Sequence, residues 1–418
     1  MKSLNSIYLA LFMLITTVGY AQLPELQFYR ENGKVGLNQF ETSKENTVEF
    51  DGVKVRVGGD FAIQMQGLSQ SNDLVGDTLV ELSSNFNLPA ANLNLDVQFA
   101  DGVRMHLRTY LSSRHHEEAW VKGGHLQLDN LDFINEGFLA GVMEIVTLRF
   151  GMDQINYGDA HFRRSDNAAA IYNPFVGNYI MDAFTTEPFG EITVQKNGLI
   201  GVVGFSNGRL NQSPEPGDDG LVSYGKLGFD KQMNDDLRFR ITGSWYMSSD
   251  SGTRDYLYAG DRAGARYYRV MNAFNDMRVA DFEPRFNPRF DYRTSIQVNP
   301  FVKFKGAELF GVYEMTSNGD SEVGGEFSQI GAELIYRFFE EENVYIGGRY
   351  NSVTGKMSKD GDDMSTDRIN VGGGWFLTNN ILVKVEYVMQ KWEDAGYDGT
   401  KYQGAEFDGV VLEAVIGF

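Results

Sequence analysis

The stretch Asp236-Leu237-Arg238-Phe239-Arg240-Ile241-Thr242-Gly243-Ser244-Trp245-Tyr246-Met247 alternates with a period of two. An extended chain sends successive side chains to opposite faces. Leu237, Phe239, Ile241, Trp245 and Met247 therefore share one face, and Arg238, Arg240, Thr242 and Ser244 the other. The pattern returns at 53–68, where Val53, Val55, Val57, Phe61, Ile63 and Met65 face away from Lys54, Arg56, Asp60, Gln64 and Gln66. It returns again at 93–99, 103–111 and 381–389, with polar residues expected on the second face throughout.

Segments of this kind begin near Val53, Ala91, Gly102, Glu118, Ile145, Phe189, Leu199, Leu221, Asp236, Arg293, Gly306, Glu326, Asn343, Asp367, Asn380 and Ala405. Most run to about ten residues, the length a tilted strand needs to cross a bilayer. Soluble strands are usually about five or six residues long, and no internal repeat points to a propeller or solenoid. The connections alternate in length. Ala100-Asp101-Gly102, Asn197-Gly198, Lys305-Gly306, Glu340-Glu341-Glu342-Asn343 and Thr378-Asn379-Asn380 are tight turns. Between them lie longer acidic stretches rich in Gly, Asp and Ser at 208–220, 318–326, 354–366 and 393–404. The expected fold is all-β: a single transmembrane antiparallel barrel of about 16 strands, with 14 or 18 as alternatives, having short turns on one rim and long loops on the other.

Composition agrees. The chain has 418 residues, a formal charge of −20 and no cysteine. A sequence pI near 4.7 lacks the basic footprint a nucleic-acid binder needs. Mean hydropathy of −0.31 excludes a helical membrane protein. Absent cysteines exclude a disulfide framework, a thiolate metal site and a cysteine nucleophile. The 47 glycines and 13% aromatics suit twisted strands and tight turns.

The two ends carry an address. Lys2, the apolar run from Ile7 to Ile15, and Gly19 and Ala21 before Gln22 form a signal-peptide pattern over 1–21. Val410, Leu412, Ala414, Ile416 and Phe418 form an apolar row that stops on phenylalanine, similar to the terminal strand of bacterial outer-membrane barrels that the insertion machinery recognises. The expected location is the outer membrane of a Gram-negative bacterium, in contact with lipid and lipopolysaccharide. Residues 22–52 are expected to form a periplasmic or pore-entering extension, and 53–418 the barrel.

Barrels of about 16 strands enclose a channel, whereas about 22 strands need a plug domain. At about 25 residues per strand and connection, 16 strands fit this chain. One connection stands apart: 152–188, the third long loop, contains Asn156, Tyr157, Asp159, His161, Arg163, Arg164, Asp166 and an apolar segment at 168–172. Its composition suits folding inward to narrow the lumen. By strand phase Lys54, Arg56, Arg104, Arg108, Arg149, Lys226, Arg238, Arg240, Lys303, Lys305, Arg337, Arg349, Arg368 and Lys384 face inward. They outnumber the inward acids Asp60, Asp96, Glu191, Glu308, Glu314, Glu333, Glu386 and Glu413. Such a wall favours anions; a mixed-charge wall with a transverse field and no net selectivity is the equal alternative. Candidate constriction and anion-binding residues are Arg104, Arg108, Arg149, Arg163, Arg164, Arg238, Arg240 and Lys303, with Asp159 and Asp166 as loop acids.

With the strand Val146-Thr147-Leu148-Arg149-Phe150-Gly151-Met152 leading into the third loop and Phe418 at the terminus, the chain resembles bacterial porins, and most closely the phosphate-selective porin O and P family. The acidic Gly/Asp-rich loops suit a Bacteroidetes-type member. The resemblance implies a homotrimeric channel without cofactor, passing small solutes or anions such as phosphate. It points to Arg149, Arg163 and Arg164 at the constriction. The family's dense lysine cluster is absent.

Other constellations carry less. His115-His116-Glu117-Glu118 in a hairpin sends neighbours to opposite faces, so a solvated loop is the expectation rather than a metal site. Ser112, Ser113 and His115 lack any nucleophile-elbow context. An enzyme or adhesin using the barrel as scaffold is the alternative class. Trp120, Tyr313, Tyr336, Tyr350, Trp375, Tyr387 and Trp392 are assigned to the interfacial girdle.

Overall fold

Runs of alternating residues make strands because one face is stabilised by an apolar environment and the other by polar partners, a division only a sheet satisfies. The computed structural model describes residues 23–45, 48–76, 79–112, 119–209, 221–248, 256–259, 267–272, 284–290 and 292–418. The expected signal sequence and the His115–Glu118 tetrad lie outside the described residues.

The strands are β1 (Lys54–Ser71), β2 (Asn85–Ala100), β3 (Val103–Leu111), β4 (Trp120–Leu128), β5 (Val146–Gln154), β6 (Thr186–Lys196), β7 (Leu199–Ser206) and β8 (Val222–Gln232). They continue as β9 (Leu237–Ser248), β10 (Arg293–Phe304), β11 (Ala307–Asn318), β12 (Glu326–Phe338), β13 (Val344–Lys356), β14 (Met364–Thr378), β15 (Ile381–Glu393) and β16 (Glu406–Gly417). Each pairs with its neighbours in sequence, and β1 pairs antiparallel with β16 to close the barrel. Phe418 completes the seam, its N–H donating to Gly59 O while Gly59 N–H donates to Phe418 O, both at 3.0 Å.

The expected strand starts fall close to the observed ones, apart from β2. That strand starts at Asn85 rather than near Ala91, because Pro89, which has no N–H to donate, sits where the register against β1 shifts between Ala62 and Gln64. The faces divide as the period requires. On β1, Val55, Val57, Ile63 and Met65 are 40–52% exposed, against 1–6% for Arg56, Asp60, Gln64 and Gln66. With the apolar row outside and the polar row buried, the exterior is a lipid-facing surface.

Two expectations need correction. The inner face is not polar throughout: Phe301, Phe310, Val312, Ile335, Tyr345, Phe376, Leu382 and Val415 are buried inside. They pack against Ala169, Ile171, Tyr172, Phe175 and Tyr179 of the connection between β5 and β6, which replaces water over that part of the wall. Trp392 is not a girdle residue. It is 3% exposed and stacks with Tyr402 and Phe407, whereas Tyr313, Tyr336, Tyr350, Trp375 and Tyr387 are exposed on the outside.

Candidate functional site

The lumen is furnished from three directions. Residues 155–185, between β5 and β6, lie inside the barrel with nearly every side chain buried. Gly158 shows how tightly the loop is seated: its φ is +65°, and a Cβ there would lie 1.9 Å from Gln297 Oε1 of β10. Parts of the connection between β9 and β10 also turn inward: Tyr268 donates to Glu386, and Gln66 Nε2 donates to Arg269 O at 3.1 Å.

The third contributor is the segment before β1. It bonds in turn to opposite sides of the barrel, so it crosses the lumen at the short-turn rim. Gln27 Nε2 donates to Asp101 Oδ1 at 2.8 Å, Lys34 N–H to Asn379 O at 2.7 Å, and Asn38 Nδ2 to Glu308 Oε1 at 2.8 Å. Glu41 meets Arg240 at 2.7 Å and Lys226 at 3.0 Å, and Lys44 meets Asp129 at 2.9 Å.

Each candidate cation is brought to the inside, and each is engaged by a carboxylate. Arg104 reaches Asp96 at 2.7 Å, Arg108 reaches Asp153 at 3.2 Å, and Arg149 reaches Glu191 at 3.2 Å. Arg238 makes a two-pronged contact with Asp230 at 2.8 and 2.7 Å, and Lys303 meets Glu342 at 2.6 Å. Arg163 pairs with Glu333 at 3.1 Å. Arg164 pairs with Asp182 at 2.7 Å and with Asp166 at 3.2 Å. Arg240 and Lys226 converge on Asp159 at 2.8 Å each, and Lys122 meets Asp166 at 2.5 Å.

This corrects the charge balance drawn from strand phase. That balance left out the wall acids Asp153 and Asp230 and the inward acids Glu41, Asp129, Asp159, Asp166 and Asp182, and likewise the inward cations Lys44, Lys122 and Arg293. Lys305 was counted as inward, but it occupies a tight turn at φ 50° with an exposed side chain. Arg163 and Arg240 are buried and bridge loop to wall, whereas Arg164 is buried and pairs within the loop, with Asp166 and Asp182.

Burial alone would raise the carboxyls of this network. Arg240 and Lys226 override it for Glu41 and hold it well below the ordinary range; Asp159 is lowered by the same pair. Lys122 and Arg164 likewise outweigh burial at Asp166 and bring it to about 2. His161 goes the other way for an imidazole: burial, then the nearby Lys226, lowers it to about 3, so it is neutral at physiological pH.

Open space remains among the described residues. A cavity of about 220 Å³ lies between β2–β6, the crossing segment and the inserted loop, and Arg30, Arg104, Arg108, Arg149, Asp153 and Glu191 help line it. A second, of about 610 Å³, lies at the short-turn rim, beside Lys34, Arg238, Lys303, Glu340 and Glu342. Sequence phase missed Arg30, which sits on the crossing segment. Its guanidinium lies 3.6 Å above the Tyr172 ring and donates only to backbone, to Gly36 O at 3.0 Å and Phe162 O at 3.2 Å. Arg56 is similar: it donates to Pro24 O at 3.3 Å and lies 5.1 Å from the Tyr29 ring centre. Neither has a carboxylate partner among the described residues. Ser112 donates to Leu88 O at 3.2 Å, and Ser113 and His115 lie outside the described residues.

A closed barrel of sixteen strands, apolar outside and charged within, has solved counterparts. The trimer form of in-vitro folded OmpT, an outer membrane protein of Vibrio cholerae, superposes with a TM-score of 0.54 at 11% identity, covering 88% of this chain and 100% of that one. The anion-selective porin from Comamonas acidovorans gives 0.51 at 10% identity, covering 88% and 100%. The outer membrane channel DcaP of Acinetobacter baumannii gives 0.52 at 13% identity, covering 88% and 99%. The fold is that of the Gram-negative outer-membrane porins. At these identities the likeness concerns the fold alone. No family model and no curated protein matches the sequence.

Proposed function

We propose that the protein is an outer-membrane porin: a passive channel through which small hydrophilic solutes diffuse, without chemistry and without cofactor. The observation that carries this is the closed barrel whose outer face is apolar and whose inner face holds water space lined by charged side chains. Selection acts by radius and charge. The inserted loop and the crossing segment leave narrow passages, so solutes are small.

Within that reading the preference is for anions, phosphate among them. Paired residues do not carry it, since their fields largely cancel. It rests on Arg30 and Arg56, whose charges are balanced by no carboxylate among the described residues, and on Arg30 Nη2 and Arg56 Nε, buried N–H groups without a partner among those residues. Buried donors of this kind are satisfied by water or by a passing anion. We read the mature protein as a homotrimer that starts near Gln22 after export and is inserted through its Phe418 strand beside lipid and lipopolysaccharide.

Recording from the purified protein in a planar bilayer tests the channel. Stable ohmic steps are expected, and an absence of steps rejects it. Under a salt gradient the reversal potential should show anion preference, and Arg30→Gln with Arg56→Gln should bring it toward zero. A cation-selective potential in the parent protein rejects the charge reading.

A further inference from the structure

The connection between β4 and β5, residues 129–145, is the longest on the short-turn rim, which faces the periplasm in such barrels. Leu128, just before it, points outward opposite Val103 and Leu148 in the two ladders, the position of a lipid contact. It is nevertheless only 8% exposed. Leu131 and Met143 of the connection pack over Leu128, with Val103, Val146 and Leu148 alongside. The connection therefore folds back along the outer wall instead of hanging below the rim.

Its shape is fixed from within. Gly137 N–H donates to Asp132 Oδ1 at 2.9 Å, Asn130 Nδ2 donates to Asp101 Oδ2 at 2.6 Å, and Ala140–Met143 form one helical turn. Against the wall, the connection presents Phe133, Ile134, Phe138, Leu139 and Val142, each between 40% and 58% exposed. In the same rim, Asp101-Gly102, Asn197-Gly198 and Lys305-Gly306 are minimal polar turns.

We propose that residues 129–145 are seated in the periplasmic leaflet, and that phospholipid acyl chains cover these five side chains. The inference rests on the membrane reading above. The patch is continuous with the outward apolar surface of Leu126 and Phe150, part of the wall that the membrane reading assigns to lipid. Its polar members Asp132, Asn135 and Glu136 are exposed among the apolar ones, the mixture found in segments lying at the boundary of headgroups and chains. The seat has a luminal consequence. Asp129 opens the connection and accepts from Lys44 Nζ at 2.9 Å and Thr147 Oγ1 at 2.5 Å, so the lipid-held connection also anchors the segment that crosses the lumen.

Because the chain contains no cysteine, single labels are clean. Ile134→Cys and Phe138→Cys would each carry an environment-sensitive NBD fluorophore in vesicles of phosphatidylcholine and phosphatidylglycerol. Val371→Cys on the outer wall and Asp235→Cys in a rim turn serve as references. Doxyl-labelled phospholipid should quench the labels at 134 and 138 to at least half the extent seen at 371, and aqueous iodide should quench them several-fold less than at 235. Iodide quenching equal to that at 235, with no effect of doxyl lipid, overturns the proposal by leaving the connection in water. Disulfide formation between two copies of the Ile134→Cys chain in the vesicle overturns it in favour of a protein contact. A label at 371 that doxyl lipid does not reach overturns the membrane reading itself, a result distinct from failure at 134 and 138 alone.

Discussion

Asp159 of the inserted loop is held by Arg240 of β9 through two parallel hydrogen bonds, Nε to Oδ2 and Nη2 to Oδ1, each 2.8 Å. Both side chains are fully buried, and Lys226 Nζ and Thr242 Oγ1 each add a bond at 2.8 Å. The planar fork of an arginine fits a carboxylate in this way only when both are fixed, so the pair locks the loop to the wall.

Removing one partner of such a buried pair costs about 3–5 kcal/mol, because the other is left uncompensated. Asp159→Ala should therefore loosen the loop while the barrel persists. The expected results are faster trypsin cleavage at Arg163 and Arg164 and a larger unitary conductance. Unchanged proteolysis and conductance would show that the clamp does not hold the loop.

Acid should loosen the same loop. His161 is lowered from 6.5 to about 3 by burial first and then by Lys226, so protonation favours the displaced loop. The stability of the neutral imidazole is complete above pH 6.5 and is lost as pH falls toward 3. Asp166, held at about 2 against burial by Lys122 and Arg164, contributes stability present above 3.8 and lost as pH falls through 2. Conductance or loop hydrogen exchange should rise from about pH 6 downward. His161→Gln should remove the upper part of that response and leave the lower part.

The outer wall should be intolerant of charge. Val371 lies at the middle of β14 with its side chain facing out, and Val371→Arg should destabilise the barrel by about 2–4 kcal/mol. Urea titration of the protein refolded into vesicles reads this directly. Val371→Leu should be close to neutral.

Deleting residues 23–45 while retaining residues 1–22 should widen the passage. Glu41 would no longer face Arg240 and Lys226, nor Lys44 face Asp129. The expected outcome is a higher conductance with increased noise from a less firmly held loop. Glu41→Gln should give part of that effect. A truncated protein with the parent conductance would place the narrowest point elsewhere.

Much of the wall was legible because its rule is local. Period-two alternation places Arg104, Arg149 and Glu308 inside without knowledge of any other strand, and tight turns such as Asn197-Gly198 mark where one strand stops. The pairing of charges was not legible. Arg240 and Asp159 lie 81 positions apart, and Glu308 receives Asn38 from 270 positions away. Strand phase also treats the inner face as wet, whereas Phe310 and Val415 are covered by the folded loop. Trp392 was misplaced for a related reason, since an aromatic near a strand end suits either the girdle or a packed interior.

From its residues alone, the chain determined a closed barrel and which side chains face in, because bilayer and lumen impose opposite demands on alternate positions. The tertiary structure decided what that interior means electrically. Whether an inward arginine meets an anion in transit or a fixed carboxylate depends on where the crossing segment and the inserted loop come to rest. Contacts between distant parts of the chain set those positions, and no period in the sequence encodes them.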